Sequence, residues 1–197
     1  MNPFANQDGL NPSALNLADS QRDYAVFLPS ISAIYAKLVS LPEYNVRDSL
    51  PPGLPGGRKD LDFLDSKNPL FYYPAALYSA GHAMHDLSVS DVQEAMVQKR
   101  DRKRTVMIGD SGGFQIAKGL WEGDWKANSG CPKAQKKREQ VLAWLDGIAN
   151  YGMILDIPTW VIHDKNASAK CGIKTLDQAV EATKFNNDYF MKNRKGV

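Results

Sequence analysis

The architecture of this chain follows from one segment, Thr105-Val106-Met107-Ile108-Gly109-Asp110-Ser111-Gly112-Gly113-Phe114-Gln115. Its first five residues are mostly apolar or β-branched, which predicts a buried strand over 105–109. Asp110 follows that strand directly, and the two glycines after it let the backbone approach a ligand closely. Parallel α/β enzymes place their acids at the carboxyl ends of such strands. The segment therefore predicts a ligand site at Asp110.

The same pattern returns in Gly152-Met153-Ile154-Leu155-Asp156-Ile157-Pro158-Thr159. A second strand is predicted over 153–157, and Asp156 lies near its end. One acid of such a pair can accept N–H groups of a ligand while the other moves a proton or stabilises a developing cation. Each acid taken alone is equally well explained as a cap of the turn that follows it. Their equivalent positions on two strands favour a shared functional site.

Strands and helices alternate from residue 69 onward, which predicts parallel β/α units with ligands at the carboxyl ends of the strands. Residues 61–197 form this part of the chain. Residues 1–60 are predicted to be an N-terminal elaboration, with a strand at 24–28, a helix from Ser30 and a Pro/Gly-rich break after Leu50. The strands predicted after it are 70–73 (closed by Pro74), 105–109 and 153–157, and the helices are 88–98, 132–150 and 175–193.

The composition is that of an ordinary globular protein. Hydrophobic residues make up 43% of the chain and charged residues 23%, which excludes wholesale disorder. The net charge of +2 indicates no particular partner. Cys131 and Cys171 lack CxxC spacing, so a reduced, cytoplasmic protein is expected. No apolar run approaches the roughly 20 residues of a membrane span, and no membrane association is expected.

Histidines and basic residues form clusters with weaker signals. His82, His85 and Asp86 have helical spacing for two metal ligands, but no Cys or third His accompanies them, so neither a metal nor another cofactor is expected. The basic run at 99–104 either stabilises a helix end or contacts phosphates. The candidate phosphate contacts are Arg100, Arg102, Lys103 and Arg104, with a second cluster at Lys133, Lys136, Lys137 and Arg138.

The hexapeptide Asp110-Ser111-Gly112-Gly113-Phe114-Gln115 resembles, without a gap, the signature of the tRNA-guanine transglycosylase superfamily. Leu155-Asp156-Ile157-Pro158-Thr159 resembles that family's second base-binding strand, in its archaeal form. The stretch 70–82 looks more like the branch known as deoxypurine-in-DNA protein A. That branch inserts 7-deazaguanine derivatives into DNA and is common in bacteriophages and bacterial defence islands. The resemblance covers about residues 69–190, strongly at the two motifs and weakly between them.

This resemblance implies a (β/α)₈ barrel, of which the chain forms a part, and base exchange at C1′ of a ribose or deoxyribose. It implies that Asp110 contacts the incoming base and takes part in its proton transfers. Phe114 would stack on the base, and Asp156 would read its guanine-like edge. Carboxylates suit an aminopyrimidinone edge, and an aromatic ring suits stacking. The further pocket positions that the resemblance implies are Ser111, Gly112, Gly113 and Gln115.

Parts of the family pattern are missing from this sequence. A (β/α)₈ barrel takes roughly 250 residues, whereas about three barrel strands are identifiable here. The family's nucleophilic aspartate and the Cys-rich zinc site of the tRNA enzymes belong to later segments that have no counterpart. The resemblance therefore implies the N-terminal half of a transglycosylase, either truncated or completed by a second polypeptide.

The expected function is the exchange of guanine for a 7-deazaguanine base in DNA, in the cytoplasm of a bacterial or phage-infected cell, with this chain supplying the base-binding half of the site. Exchange into tRNA is the alternative within the family. A second alternative is a non-catalytic module that binds bases or nucleic acid. A third is a hydrolase or lyase that acts on a small ligand through the two acids, which the gap-free hexapeptide disfavours.

Overall fold

The computed structural model describes residues 26–40, 53–81 and 95–196, and within them it has an α/β fold. The strands are β1 (Ser30–Ile31), β2 (Ala75–Ser79), β3 (Val106–Asp110) and β4 (Tyr151–Gly152). They form one parallel sheet in the order β1-β2-β3-β4, with Ser30 of β1 opposite Leu77 of β2. The helices are α1 (Ala33–Ser40), α2 (Ala95–Gln98), α3 (Gly113–Ala117), α4 (Pro132–Ile148), α5 (Lys165–Cys171) and α6 (Leu176–Asn193), with 3-10 helices at Gly57–Leu61 and Thr159–His163.

The chain divides into two compact units. The first unit comprises Met1–Tyr78 and Val89–Ile108, and the second comprises Ser79–Ser88 and Gly109–Val197. The N-terminal elaboration predicted over 1–60 stays a prediction, because much of it lies outside the described residues.

In the first unit, α1 packs against α2 and against the 3-10 helix Gly57–Leu61. The helix was predicted from Ser30 but begins at Ala33, because the hydroxyl of Ser32 accepts the amide N–H of Tyr35 at 3.1 Å and caps it there. The buried apolar side chains of this unit include Ile31, Ala36, Leu64, Ala75, Ala76, Tyr78, Met96, Val97, Val106 and Met107.

The strand predicted at 70–73 is wrong, and β2 begins immediately after Pro74 instead of ending before it. The amide of Val106 donates to the carbonyl of Pro74 at 2.7 Å. Proline has no N–H to give to a ladder but keeps its carbonyl, so it suits the residue before a strand. Leu70 and Phe71, which lie in the predicted strand, are exposed.

The strand predicted at 24–28 and the helix predicted at 88–98 lie only partly within the described residues. Residues 26–28 are not in a strand, and the first strand is Ser30–Ile31, so that prediction is wrong over its described part. Of the helix predicted at 88–98, the described portion is α2, and the predicted Ser88 start lies outside the described residues. The histidines His82 and His85 lie outside them as well.

In the second unit, the two long helices confirm their predictions. Pro132 begins α4, and α6 begins after Thr175, whose hydroxyl accepts the amide of Gln178 at 3.2 Å. Gly109 of β3 allows α4 to pack closely, since a Cβ there would lie 2.4 Å from Cδ2 of Leu145. The buried apolar side chains of this unit include Ile116, Trp125, Val141, Leu145, Ile148, Leu155, Ile157, Ile173 and Ala182.

The strand predicted at 153–157 is wrong, because β4 covers only Tyr151–Gly152. The amide of Met153 still donates to the carbonyl of Gly109 at 2.8 Å, and the ladder ends there. The amide of Asp156 then donates to the carbonyl of Ile154 at 3.0 Å, which forms a tight turn. The side chains of Ser111, Asn186 and Thr183 bind other backbone groups of residues 154–157, so this segment is irregular chain held from the side.

A short helix, α5, was not predicted. The carboxylate of Asp164 accepts the amides of Asn166 and Ala167, each at 3.0 Å, and so caps its start. Gly172 ends it in the left-handed conformation with φ of +78°. The cap residue and the terminal glycine are visible in the sequence, but the span between them is too short for a periodic apolar pattern.

Candidate functional site

Asp110 ends β3, and its carboxylate is held from the end of β2. The hydroxyl of Ser79 donates to Oδ2 of Asp110 at 2.6 Å, and the amide of Ala80 donates to the Asp110 carbonyl at 2.8 Å. A hydroxyl–carboxylate bond this short is charge-assisted and fixes the orientation of the acid. Ser79 is almost fully buried. The sequence placed Ser79 in a loop, and no local pattern marked it as the partner of the acid.

The Gly112-Gly113 pair meets two different steric demands. Gly112 has φ of +83°, and a Cβ there would lie 2.7 Å from Cη2 of Trp121. A Cβ on Gly113 would lie 2.3 Å from the carbonyl oxygen of Asp156 and 2.4 Å from its Oδ1. The first glycine makes the turn possible, and the second lets the two acid-bearing segments touch.

Ser111 and Gln115 also face inward from residues 110–115, the signature segment. Ser111 is buried, and its hydroxyl donates to the carbonyl of Ile154 at 2.7 Å. The side-chain amide of Gln115 packs directly on Gly81, where a Cβ would lie 2.1 Å from the amide carbon. Ser111 therefore joins the end of β3 to the segment that carries Asp156, while Gln115 closes the space above Gly81.

The backbone on either side of Asp156 is bound by side chains of α6. Asn186 donates through Nδ2 to the carbonyl of Leu155 at 2.8 Å, and the amide of Ile157 donates to the hydroxyl of Thr183 at 2.8 Å. These bonds replace the ladder that a strand would have provided. The position of Asp156 is thus set by α6 from one side and by the signature segment from the other.

Asn186 is in turn fixed by a buried arginine of α4. Nε of Arg138 donates to Oδ1 of Asn186 at 2.6 Å, and the guanidinium lies 5.4 Å from the ring centroid of Trp125 and 5.0 Å from that of Phe185. Burial lowers the pKa of Arg138 from its ordinary value. Arg138, predicted as a possible phosphate contact, therefore supports the segment around Asp156 instead.

The pKa of the Asp156 carboxyl is raised, first by partial burial and then by the negative charge of Asp110. The residue as a whole is exposed, while Oδ1 of its carboxyl group lies against Gly113. The influence of Asp110 means that the two carboxyl groups are near enough to interact. The charge of Asp110 is thus one cause of the raised pKa of Asp156, after burial.

An exposed aromatic pair lies beside the acids. The rings of Phe114 and Trp160 have centroids 5.9 Å apart and are tilted by 56°. Nζ of Lys118 stands 5.6 Å from the Phe114 centroid and 5.0 Å from the Trp160 centroid. Phe114 is 54% exposed and Trp160 38%, so both rings offer surface to a ligand. Neither a periodic pattern nor a motif in the sequence marks Trp160 or Lys118 as part of a site.

A cavity of about 470 Å³ opens next to Asp156. Its volume falls within the range of about 300–1,000 Å³ that small-molecule sites occupy. Trp160 forms one wall and α6 another. The lining residues are Asp156, Ile157, Pro158, Thr159, Trp160, Ala179, Val180 and Thr183.

The structure brings together the predicted residues of the signature segment and Asp156, all within the second unit. No family model, curated protein or solved structure matches this chain.

The predicted phosphate contacts at 100–104 belong to the first unit. Arg100 is buried, donates to the carbonyl of Val97 at 2.8 Å, and has its pKa lowered to about 10 by burial and by Arg102. Arg104 lies 3.6 Å from the carboxylate of Asp101, while Arg102 and Lys103 are exposed. Arg100 is thus engaged in the interior, and a phosphate-binding role of this run stays a prediction.

Within 26–40, 53–81 and 95–196, no group of three or more His, Cys, Asp or Glu side chains is placed to hold a metal ion. Over the same ranges, no helix combines the length and apolarity needed to cross a membrane.

Proposed function

We propose that the second unit binds a guanine-like base and takes part in its exchange at a deoxyribose C1′, so that guanine in DNA is replaced by a 7-deazaguanine derivative. One observation carries this proposal: the segments that carry Asp110 and Asp156 touch at Gly113, beside the exposed rings of Phe114 and Trp160. Carboxylates accept the N–H groups of an aminopyrimidinone edge, and an aromatic ring supplies a stacking surface. The resemblance of residues 110–115 to the transglycosylase signature supports the same reaction.

In this proposal the two acids have different roles. Asp156 accepts N–H groups from the base edge, at a position that α6 and Gly113 fix. Asp110, oriented by Ser79, contacts the incoming base and takes part in moving its proton. Phe114 stacks on the base, and Trp160 adds a second aromatic wall.

The strand order supports a (β/α)₈ barrel as the complete fold. Doubly wound sheets reverse their strand order at a switch point, whereas each barrel strand neighbours the next one in sequence. The order β1-β2-β3-β4 follows the barrel rule. The remaining strands, and the nucleophilic aspartate that the family resemblance implies, are assigned in this proposal to a further segment or a second polypeptide.

A base-binding module without turnover is the second candidate. It is favoured by the exposed rings of Phe114 and Trp160 beside Asp156, which offer surfaces that bind a base without any chemical step. Such a module would use the same acids and rings but would form no covalent sugar intermediate.

The test is incorporation of labelled guanine or 7-deazaguanine into DNA and into tRNA, with the chain alone and with the products of neighbouring genes. Exchange into DNA is expected, and Asp110→Asn or Asp156→Asn should abolish it. Asp188→Asn, which removes the same charge from an exposed position of α6, is the matched control and should retain full activity.

Each other outcome has a defined meaning. Incorporation into tRNA and not into DNA would mean that tRNA is the substrate, as in the tRNA-guanine transglycosylases. Calorimetric binding of the free base that is lost in Asp156→Asn, without exchange in any combination, would favour the binding module. Absence of exchange together with unchanged base binding in both acid variants would contradict both candidates.

A further inference from the structure

A basic groove lies on α4 of the second unit, outside the acid site. Its volume is about 380 Å³, and three lysines, Lys133, Lys136 and Lys137, line it together with Gln140. On a helix these residues share one side, because positions three, four and seven apart face the same way. The sequence identified the lysines but could not show that they converge on a single surface.

The charge of this groove is strongly one-sided. Lys133 and Lys136 are exposed, and Nζ of Lys137 stands 5.1 Å from the ring centroid of Trp121. The acid in the lining, Glu122, is paired with Lys170 at 3.3 Å. The three lysines therefore outnumber the one carboxylate of the lining, and that carboxylate forms an ion pair with Lys170.

Trp121 connects this groove to the signature turn. A Cβ on Gly112 would lie 2.7 Å from Cη2 of Trp121. The backbone amide of Trp121 donates to the carbonyl of Gln115 at 3.2 Å. The same ring lies under the ammonium of Lys137. One side chain thus borders the Gly112 turn and also forms the floor of the basic groove.

We infer that this groove binds the phosphodiester backbone of the polynucleotide whose base enters the Asp110–Asp156 site. A row of ammonium groups along a helix suits a row of phosphates, and such contacts position a strand without reading its sequence. The identity of the bound base rests on the proposed function; the groove itself rests on the lysines and on Trp121. An acidic polypeptide is the competing occupant, and the adjacent base-sized site favours the polynucleotide.

The test is filter binding of a labelled single-stranded oligonucleotide to the full chain over a series of salt concentrations. The groove triple is Lys133→Gln/Lys136→Gln/Lys137→Gln, and it should weaken binding of the oligonucleotide by about tenfold or more. Because each lost contact to a single strand lowers the slope of log affinity against log salt by about 0.7, the triple should reduce that slope by roughly 2. Lys174→Gln/Lys184→Gln/Lys192→Gln removes equal charge from exposed positions elsewhere in this unit and should leave the slope nearly unchanged.

A double variant separates the loss of lysine contacts from a folding defect caused by changing Lys137. Lys133→Gln/Lys136→Gln leaves Lys137 on the Trp121 ring and should still reduce the slope by roughly 1.4. If the groove triple and the control triple lose the same affinity for the oligonucleotide, the inference is overturned. It is also overturned if poly-glutamate displaces the labelled oligonucleotide at the same concentration as unlabelled oligonucleotide does.

The inference and the proposed function fail in different ways. Binding of free 7-deazaguanine, measured by calorimetry, should be unaffected by the lysine variants. Groove-dependent binding of an oligonucleotide by a chain that binds no base would uphold the groove and contradict the proposed function. If base binding requires Asp156 but the groove triple binds the oligonucleotide as tightly as the parent chain, the proposed function is upheld and the groove is contradicted.

Discussion

Gly113 and Asp156 touch so closely that no side chain fits between them. A Cβ on Gly113 would stand 2.3 Å from the carbonyl oxygen of Asp156, below the 3.0 Å that real Cβ atoms keep. The Asp156 backbone has little freedom to retreat, because Asn186 and Thr183 bind the peptide groups on either side of it. The hydrogen atom of one glycine therefore sets the spacing between the two acid-bearing segments.

Gly113→Ala should separate the acids. Overpacking of this kind costs about 1–3 kcal/mol of unfolding free energy, and base binding should fall further because Asp156 leaves its position. Calorimetric titration with 7-deazaguanine and urea unfolding measure the two effects. Gly147→Ala is the control, since nothing lies within 4 Å of a Cβ at that helical position, and it should be neutral or stabilise by up to about 1 kcal/mol. Full base binding by Gly113→Ala would show that the contact is not needed.

The buried Arg138–Asn186 pair predicts a stability effect that reaches Asp156. Asn186→Leu leaves the guanidinium and the Leu155 carbonyl without their 2.6 and 2.8 Å partners, which should cost roughly 2–3 kcal/mol. Asn193→Ala, at the exposed end of the same helix, should change the unfolding free energy by less than about 0.5 kcal/mol. Denaturant unfolding of both variants gives the comparison, and equal values would mean that the network contributes little.

The raised pKa of Asp156 gives base binding a defined pH dependence. The ionised carboxylate accepts N–H groups, so affinity should rise with pH through a midpoint above the ordinary aspartate value of about 3.9. Asp110→Asn removes the charge that contributes to the shift and should lower the midpoint. Calorimetric titrations across a pH series measure both midpoints, and a midpoint that stays fixed in Asp110→Asn would contradict electrostatic coupling of the acids.

The same shift has a consequence for folding, with the opposite sign from that of a salt-bridged acid. A carboxyl whose pKa is raised in the folded state favours folding while protonated, and this contribution is lost as pH rises from the ordinary aspartate range through the raised pKa. Asp156→Asn should therefore remove a decline in stability that the parent chain shows over that interval. Thermal unfolding at several pH values tests it, with Asp188→Asn as the control.

Trp160 is expected to contribute directly to ligand binding. Stacking of a base on an aromatic side chain is worth about 1–3 kcal/mol, so Trp160→Leu should weaken base binding by about tenfold or more. Trp160→Phe keeps an aromatic face and should retain most of the affinity. Because Trp160 is partly exposed, neither change should greatly alter the unfolding free energy, and calorimetry on the two variants separates stacking from packing.

Long periodic segments were predictable from the sequence. The apolar positions of 132–150 and the Thr175 cap specify α4 and α6, because many residues report the same helical period. The strand at Val106–Asp110 was predicted within one residue for a similar reason, as a continuous apolar run ending in an acid.

The errors fall where tertiary contacts override local pattern. Residues 153–157 look like a strand by hydrophobicity, but Ser111, Thr183 and Asn186 bind their backbone from distant parts of the chain. Ser79 and Trp160 join the site through positions that no sequence motif marks. The acids and the glycines could be predicted, whereas the groups that hold them could not, because their sequence separation is large.

The exposure of Trp160 has an optical consequence. The chain contains four tryptophans, and Trp121, Trp125 and Trp144 are at most 6% exposed while Trp160 is 38% exposed. A collisional quencher in solution should therefore act chiefly on the indole of Trp160, beside Phe114 and Lys118. A base stacked there would protect that indole, so intrinsic fluorescence follows occupancy of the site without any label.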